Sequence, residues 1–541
     1  ITRVTGGHFV NKMSGESIFR GVGKGTSDNF KVSGGTFNKS IPESYCADGF
    51  IPTKNADGTY GVKEGQYVAQ IGSKKYETLA DAIRLAAKGR TITLLADVEQ
   101  NTQLAINKSI TLDLNGKTIR NTVDIWGDKA NAILSITNGA KVTITGNGTI
   151  DAKENDCYTI NVVKGDLTIE NGTFYGNVSV VQVQEGTLSV KGGTFDLHQK
   201  WEGSSMYLFN CIDEAYVDGS AKVAISGGTF VGFDPNVSPE QKVDGKTPSF
   251  AAPGAGIIKN EDGSFTAAAG MTAQILDKDG NSVKAYKTLA DAVAAAQDGQ
   301  TVRLLADVAE SSIKVNANIT IDLNKMTVTG SFVTYGEVTI QNGTIDVPNG
   351  KTNYAYGKLT LADVDITGKA ASSSLLSVNY NGSVTIAKDS TIVADSEQGH
   401  FPAVFIKGKD DRGKTYAPEL NIYGTVQSAK TPAIQGNGTD RGVSHVNVFE
   451  GAVVKSETLA IYLPQPCEVN ITGGLVEGYC GIGIKSGTLN ISGGTVRGVA
   501  NDNVIGDEYS QTNGISYDGS AIMIDSYIGY ATLFVQTLKE Q

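Results

Sequence analysis

The chain has 541 residues, a net charge of −11 and an isoelectric point near 5.1, with 65 glycines but only 12 prolines. Such a length predicts several domains or an array of repeats rather than one compact core. The acidic balance, with no cluster of Lys and Arg, argues against nucleic acid as a partner. The composition argues against collagen and disordered linkers, and no stretch has the ~18 consecutive apolar residues of a membrane span.

One short phrase returns along the chain: alternating apolar and polar residues, then Gly or Asn, Gly, Thr and a second apolar residue. Its clearest copies are KVSGGTF (31–37), VTITGNGTI (142–150), LTIENGTF (167–174), LSVKGGTF (188–195), VAISGGTF (223–230), VTIQNGTI (338–345), VNITGGLV (469–476) and LNISGGTV (489–496). The alternation predicts short strands, and the glycines predict sharp corners with positive φ. Phe174 and Phe195 are 21 residues apart, a period that predicts stacked units. We therefore predict an all-β fold of parallel coils with apolar columns inside.

A hairpin is predicted to close each module of this array. GFIPTKNADGTYGV (49–62) and GIIKNEDGSFTA (256–267) share an Asp-Gly turn, which is typical of hairpins. The chain therefore divides into the end of one module (1–66), a complete module (67–270) and a second module with loop insertions (271–541), which we expect to be truncated. DKDGNS (277–282) is similar to a calcium loop but has too few ligands, so a hairpin turn is predicted there too.

A helix is predicted to open each module. YETLADAIRLAAKGRTITLLADV (76–98) returns 210 residues later as YKTLADAVAAAQDGQTVRLLADV (286–308). The apolar spacing predicts a short amphipathic helix in each copy, with Thr78 and Thr288 as N-caps and with Gly89 and Gly299 ending the helices. Each helix is predicted to cover the open apolar end of a stack of strands.

Two residue sets favour structural roles. One outward position of the phrase holds Thr in several copies and Asn in four, which favours an ordinary solvent face; the alternative is a flat array that binds an ordered surface such as a glycan crystal. The Asn residues are Asn421, Asn447, Asn470 and Asn490. The scattered cysteines predict buried core residues rather than a zinc site or a disulfide framework. They are Cys46, Cys157, Cys211, Cys467 and Cys480.

The combination of TLADA helix, LLADV strand, SGGTF phrase and KNxDG hairpin resembles right-handed parallel β-helix modules of the pectate-lyase-like type. Such modules occur in large surface proteins of anaerobic gut bacteria and in some of their phages. YLFNCIDEAYVDGSAKVAISGGTFVGFDP (207–235) is especially similar to them. The resemblance implies right-handed parallel β-helix solenoids in tandem and an extracellular, cell-surface location. It implies no single activity, because this architecture carries lyases, hydrolases, adhesins, tailspikes and inert stalks.

Loops interrupt the phrase at 196–222, 396–418 and 498–528, and active sites on coils of this kind are built from such loops. Their candidate acids and bases are Asp213, Glu214, His400, Asp410, Asp411, Asp502, Asp507, Glu508 and Tyr509. Asp410 and Asp411 are adjacent, so an extended strand points them to opposite faces, which favours a solvated loop over an acid–base pair. We assign no catalytic residue, no metal ligand and no cofactor.

Aromatic residues favour binding over catalysis. Trp201 and Tyr207, in the insertion HQKWEGSSMY, and Trp126 are candidate ligand-binding residues, because an exposed ring can stack on a sugar; the alternative is that each packs on its own coil. We predict a non-enzymatic extracellular stalk or adhesin that binds glycans or host or microbial surface proteins through its loops. The alternatives are a secreted glycoside hydrolase or polysaccharide lyase and a phage fibre. The oligomeric state stays open.

Overall fold

The computed structural model describes residues 2–15, 17–19, 29–177, 179–199, 207–237, 249–395, 401–499 and 519–524. The chain is all-β, with large curled parallel sheets and three short helices in the described part. It forms two compact units, Ile1–Ala252 with Asn260–Ala267 and Pro253–Lys259 with Ala268–Gln541. The module boundaries at residues 66 and 270 stay predictions.

The helices and strands are short. The helices are α1 (Leu79–Leu85), α2 (Asp213–Val217) and α3 (Leu289–Ala295), with a 3₁₀ turn at Glu43–Tyr45. The strands up to residue 269 are β1 Thr2–Phe9, β2 Phe30–Phe37, β3 Phe50–Lys54, β4 Tyr60–Glu64, β5 Ala69–Ile71, β6 Lys74–Tyr76, β7 Thr91–Leu94, β8 Val98–Glu99, β9 Leu104–Ile106, β10 Ile110–Asp113, β11 Thr118–Arg120, β12 Ala132–Ile136, β13 Ala140–Thr145, β14 Thr149–Asp151, β15 Tyr158–Val162, β16 Gly165–Ile169, β17 Thr173–Gly176, β18 Val181–Val183, β19 Gly186–Leu197, β20 Phe209–Cys211, β21 Ala221–Phe230, β22 Ala255–Lys259 and β23 Phe265–Ala269.

The remaining strands belong to the second unit. They are β24 Ala273–Leu276, β25 Ser282–Tyr286, β26 Thr301–Leu304, β27 Ile313–Val315, β28 Thr320–Asp322, β29 Thr327–Thr329, β30 Phe332–Thr334, β31 Glu337–Val347, β32 Asn353–Ala355, β33 Lys358–Gly368, β34 Leu376–Asn379, β35 Ser383–Ile386, β36 Thr391–Ala394, β37 Val404–Lys407, β38 Glu419–Ile422, β39 Thr425–Ser428, β40 Ile434–Gln435, β41 Ser444–Val448, β42 Val453–Ser456, β43 Leu459–Ile471, β44 Leu475–Gly478, β45 Cys480–Ile491, β46 Thr495–Gly498 and β47 Ile522–Ile524. In the described residues, no helix has the length and apolar character that crossing a membrane requires.

The repeated phrase pairs with itself in parallel register, as predicted. In the first unit β16, β19 and β21 lie side by side, with Leu167 beside Leu188 and Leu188 beside Val223. Further along the same phrase, Phe195 pairs with Phe174 on one side and Phe230 on the other. Each apolar position therefore meets the same position of the next copy, which forms columns of like side chains.

A phenylalanine column forms part of the first unit's core. The Phe195 ring stacks on Phe174 at 5.1 Å and on Phe230 at 5.4 Å, measured between ring centroids. Phe209, from β20, meets the Phe195 ring edge-on at 5.1 Å. All four side chains are fully buried, so burial and ring contacts both hold neighbouring copies together.

The second unit contains three parallel series of strands that recur in a fixed chain order. The first runs β28-β31-β33-β35-β38-β41-β43-β45, the second β29-β31-β33-β36-β39-β42-β44-β46, and the third β27-β30-β32-β34-β37-β40-β43-β45-β47. One continuous apolar core lies beneath them, with Ile, Val and Leu at nearly every inward position. The inward side chains are therefore alike from copy to copy, whereas the outward side chains differ.

Both predicted capping motifs are present, but the helices are shorter than the sequence suggested. Thr78 Oγ1 accepts a hydrogen bond from the Asp81 N–H at 3.1 Å, and Thr288 does the same for Asp291 at 3.1 Å. Helix α1 ends at Leu85, so the prediction that Gly89 ends it was wrong. Lys108 Nζ donates to a carbonyl oxygen near this end, that of Ala86, at 2.8 Å. The chain turns away there, before the glycine.

The Asp-Gly turns form as predicted. Strands β3 and β4 pair antiparallel around the turn at 55–59, where Asn55 N–H donates to Thr59 O at 2.8 Å. The turn at 260–264 has the same bond, from Asn260 N–H to Ser264 O at 2.8 Å. DKDGNS joins the antiparallel strands β24 and β25, which agrees with the hairpin reading of that segment. All five cysteines are buried, as predicted, and they are present as thiols.

Candidate functional site

Four tyrosines of the second unit come just before copies of the repeated phrase, in YGEVTI (335–340), YGKLTL (356–361), YNGSVTI (380–386) and YAPELNI (416–422). The strands that follow them pair in parallel register, with Glu337 beside Lys358 and Lys358 beside Ser383. Residues at the same corner of successive copies are therefore neighbours. Sequence reasoning missed this column, although the Tyr-Gly pairs were a visible signal for it.

The four rings form a continuous row, here called the tyrosine ladder. The centroid distances are 5.1 Å from Tyr335 to Tyr356, 5.3 Å from Tyr356 to Tyr380 and 5.0 Å from Tyr380 to Tyr416. Tyr354 lies beside the ladder, 6.2 Å from Tyr356. Tyr335 is 50% exposed and Tyr354 39% exposed. A row of partly exposed aromatic rings at this spacing offers apolar surface to a partly apolar ligand.

Glycines set the close approach of the corners that carry the ladder. A Cβ on Gly357 would lie 2.3 Å from the Tyr335 carbonyl oxygen, and one on Gly382 would lie 2.3 Å from the Ala355 oxygen. No side chain fits at such distances, so these corners require glycine. The glycines thereby keep neighbouring tyrosines within ring contact.

A groove of about 260 Å³ lies against the ladder. Three elements contribute to it: the outward side chains of β32, β34 and β37, the ladder, and the segments near residues 373 and 401. The lining residues are Thr352, Tyr354, Tyr356, Ser373, Ser374, Ser377, Asn379, Tyr380, Phe401, Phe405 and Lys407. Aromatic walls with a few hydroxyl, amide and ammonium groups are typical of a small-molecule or sugar site.

The predicted loop at 396–418 borders this groove. Its described part includes a turn in which Asp410 Oδ1 accepts hydrogen bonds from the N–H groups of Arg412 and Lys414, both at 2.9 Å. Asp410 Oδ2 accepts from the Tyr416 hydroxyl at 3.0 Å. The loop therefore holds the last ring of the ladder through a carboxylate, and Asp410 is a turn-forming residue rather than an acid catalyst.

The pKa shifts agree with this role. For Asp410, burial opposes ionisation, but the hydrogen bonds from Lys414, Tyr416 and Arg412 outweigh it and hold the pKa of the carboxyl below its ordinary value. Partial burial, and then the bond to Asp410, raises the pKa of Tyr416. Burial, followed by the neighbouring phenols, raises the pKa of Tyr356. Tyr356 and Tyr416 therefore remain neutral hydroxyl donors at physiological pH.

The neighbouring carboxylates do not form an acid–base pair with Asp410. Asp411 has a side chain 92% exposed and contacts Lys407 Nζ at 3.2 Å. Asp440 is buried, and its Oδ2 accepts from the Gly408 N–H at 2.5 Å. Burial raises the pKa of Asp440 despite these backbone bonds. Asp440 thus fixes the backbone at Gly408, within the loop at 396–418. The sequence did not signal this role.

The predicted ligand-binding residues fall in the first unit. Trp126 is 56% exposed, its ring meets Tyr158 edge-on at 5.2 Å, and its backbone N–H donates to Asp156 Oδ1 at 3.0 Å. Tyr207 is half-buried, just before β20. Trp201 lies outside the described residues. A ligand role for these three residues stays a prediction.

The other predicted loop residues are not brought to the ladder. Asp213 and Glu214 form the first turn of α2 in the first unit. His400, Asp502, Asp507, Glu508 and Tyr509 lie outside the described residues. In the part of the chain that the structure describes, no three His, Cys, Asp or Glu side chains form a group able to hold a metal ion.

The predicted asparagine column forms a hydrogen-bonded ladder of its own. Asn447 Nδ2 donates to Asn421 Oδ1 at 2.8 Å, Asn470 donates to Asn447 at 2.9 Å, and Asn490 donates to Asn470 at 2.8 Å. The amides thus bond to one another along the sheet. This favours a structural role for the column over recognition of an ordered surface.

Comparisons of the chain with protein-family models, with curated proteins and with solved structures found no match. The proposed function therefore rests on the residues of the site.

Proposed function

We propose that each copy of the phrase closes into one turn of a right-handed parallel β-helix. The recurrence of three parallel strand series in a fixed chain order supports this, because a coil with three strands per turn produces that pairing. The hand follows from the general rule that crossovers between parallel strands are right-handed. The resemblance to the pectate-lyase-like modules of gut-bacterial surface proteins agrees with the same architecture.

On this framework the protein is a non-enzymatic glycan-binding protein of the extracellular surface, a stalk or adhesin. The observation that carries the proposal is the tyrosine ladder along an open groove. The C–H face of a sugar ring packs on an aromatic face, while hydroxyl and amide groups such as those of Ser377 and Asn379 bind its hydroxyls. Because the rings recur in four successive copies of the phrase, the site suits an extended oligosaccharide.

The non-enzymatic part of the proposal rests on the carboxylates near the ladder. A glycosidase needs two carboxyl groups facing each other across the sugar, one of them with a raised pKa. Asp410 bonds within its turn and has a lowered pKa, whereas Asp440, although burial raises its pKa, accepts a hydrogen bond from the backbone N–H of Gly408 and does not line the groove. These contacts favour binding over cleavage. Surface proteins of a host or of other microbes would be recognised through the glycans that they carry.

A matched pair of variants tests the site. Tyr354 and Tyr423 are each 39% exposed, but only Tyr354 lines the groove, whereas Tyr423 stacks on Phe449 at 4.2 Å. On a glycan array followed by titration calorimetry, Tyr354→Ala should weaken binding about fivefold, since a lost aromatic contact amounts to about 1 kcal/mol. Tyr423→Ala should bind as the unaltered chain does.

Equal losses in the two variants would remove the groove beside the ladder as the glycan site. A reducing-sugar assay on the same glycans separates the proposed function from the hydrolase alternative. Sugar release by the unaltered chain, lost on Asp410→Asn or Asp411→Asn, would overturn the non-enzymatic proposal.

A further inference from the structure

The charge within the groove differs from that of the chain as a whole. The protein has 57 Asp and Glu against 46 Lys and Arg. Among the described residues, those lining the groove nevertheless include one ammonium group, that of Lys407, and no carboxylate. A ligand seated on the ladder would therefore meet a local positive charge on an acidic protein.

The structure positions Lys407 at the end of strand β37. Lys407 pairs with Asn379 of the neighbouring strand, and its Nζ lies 6.0 Å from the centroid of the Tyr380 ring. The side chain is 37% exposed. Its ammonium group therefore lies next to the aromatic platform and within reach of a ligand that stacks there.

In the described part of the chain, the ammonium group of Lys407 forms an ion pair with Asp411 at 3.2 Å, and its charge also acts on the buried Asp440. The Asp411 side chain is 92% exposed at the rim, and its charge also acts on Tyr356. An exposed pair of this kind contributes roughly 0–1 kcal/mol, so a ligand anion can replace Asp411 at low cost. Asp411 of the loop thus pairs with the ammonium group, and a ligand anion is still able to displace it.

Covering the groove would also remove water from Lys407. A neutral ligand would leave the ammonium group partly desolvated and without compensation, which disfavours binding. A ligand with an anion at that position would compensate the charge and gain a charge-assisted hydrogen bond.

We infer that the groove selects glycans with an anionic substituent, a carboxylate or a sulfate ester, whose ring packs against the exposed Tyr354 while the anion binds Lys407. This inference rests on the proposed glycan-binding function and specifies its ligand class. The neutral hydroxyls of the same glycan would meet Ser377 and Asn379, which are buried at the base of the groove.

The test uses the full chain on an array that carries each core glycan in four forms: neutral, sialylated, uronic acid-containing and sulfated. The acidic forms should bind about tenfold or more tightly than their neutral parent, as expected for a hydrogen bond to a charged group. The separate sialic, uronic and sulfated forms distinguish a carboxylate from a sulfate ligand.

Three variants isolate the ammonium group. Lys407→Gln should abolish the preference for acidic forms and tighten binding of the neutral core, because no ammonium group is then left desolvated. Asp411→Asn should tighten binding of the acidic forms about two- to fivefold, because the internal competitor is gone. Lys455→Gln is the control, since Lys455 pairs with Glu477 and does not line the groove.

The outcomes separate this inference from the function on which it rests. Neutral and acidic forms bound equally, with binding still lost in Tyr354→Ala, would overturn the anionic ligand and leave the ladder as a glycan site. A preference for acidic forms that survives Lys407→Gln, or no gain in Asp411→Asn, would also overturn it. No binding of any form would overturn both.

Discussion

The phenylalanine column of the first unit offers a controlled test of how neighbouring copies of the phrase are held together. Phe174 and Phe195 occupy the same position in successive copies, and both are fully buried. Phe195, however, lies in the middle of the column, where its ring contacts those of Phe174, Phe209 and Phe230. The ring contact of Phe174 within the described column is the one with Phe195. Replacing each by Leu removes similar apolar area but a different number of ring contacts.

The difference between the two variants follows from that number. Each aromatic pair contributes about 0.5–1.5 kcal/mol beyond the area it buries. Phe195→Leu loses two pairs more than Phe174→Leu, so it should destabilise the first unit by about 1–3 kcal/mol more. The buried-area and volume terms are similar for the two positions and largely cancel in this difference.

Hydrogen exchange followed by mass spectrometry on the full chain measures the destabilisation in each variant locally, because exchange of paired amides reports the free energy of opening. The relevant amides are those of β17, β19 and β21. Phe332→Leu, at a buried position of the second unit, is the control and should leave these amides unchanged. Equal effects of Phe174→Leu and Phe195→Leu would refute the reasoning that ring contacts between copies stabilise the stack.

Two further predictions concern the second unit. Asn447→Ala removes two amide hydrogen bonds of the asparagine ladder and Asn490→Ala removes one, so exchange should report a loss of about 1–3 kcal/mol for the first and about half of that for the second. Burial raises the pKa of Cys467 to about 12, above the ~8.5 of an unfolded thiol. The protonated thiol therefore contributes its full stabilisation below pH ~8.5, and this contribution falls as the pH rises toward 12. In urea titrations, the free energy of unfolding lost in Cys467→Ala should therefore be smaller between pH ~9 and ~11 than at lower pH.

The sequence predicted those features that repeat. The alternation and the Gly corners of the phrase predicted parallel pairing, and the register of Leu167, Leu188 and Val223 agrees with it. The cap at Thr78 and the Asp-Gly turns were also predictable, because each depends on residues a few positions apart. The end of α1 was not, since it involves Lys108, which lies 22 residues beyond Ala86.

The candidate site was harder to predict. Tyr356 follows Tyr335 by 21 residues, but Tyr416 follows Tyr380 by 36, because the loop at 396–418 lies between the last two. A search for a fixed period fails there, and only the register of the strands aligns the rings. The same loop was identified as a candidate from its interruption of the phrase, although for its acids rather than for its border with an aromatic groove.

The asparagine ladder has a consequence for how the chain reaches this structure. Its bonds join residues 26, 23 and 20 positions apart, in a chain of 541 residues. Partners so near in sequence give a low relative contact order, which favours rapid folding despite the all-β architecture. A newly made copy needs only its predecessor to complete its hydrogen bonds, so the sheet is able to grow progressively as the polypeptide emerges, before the distant end exists.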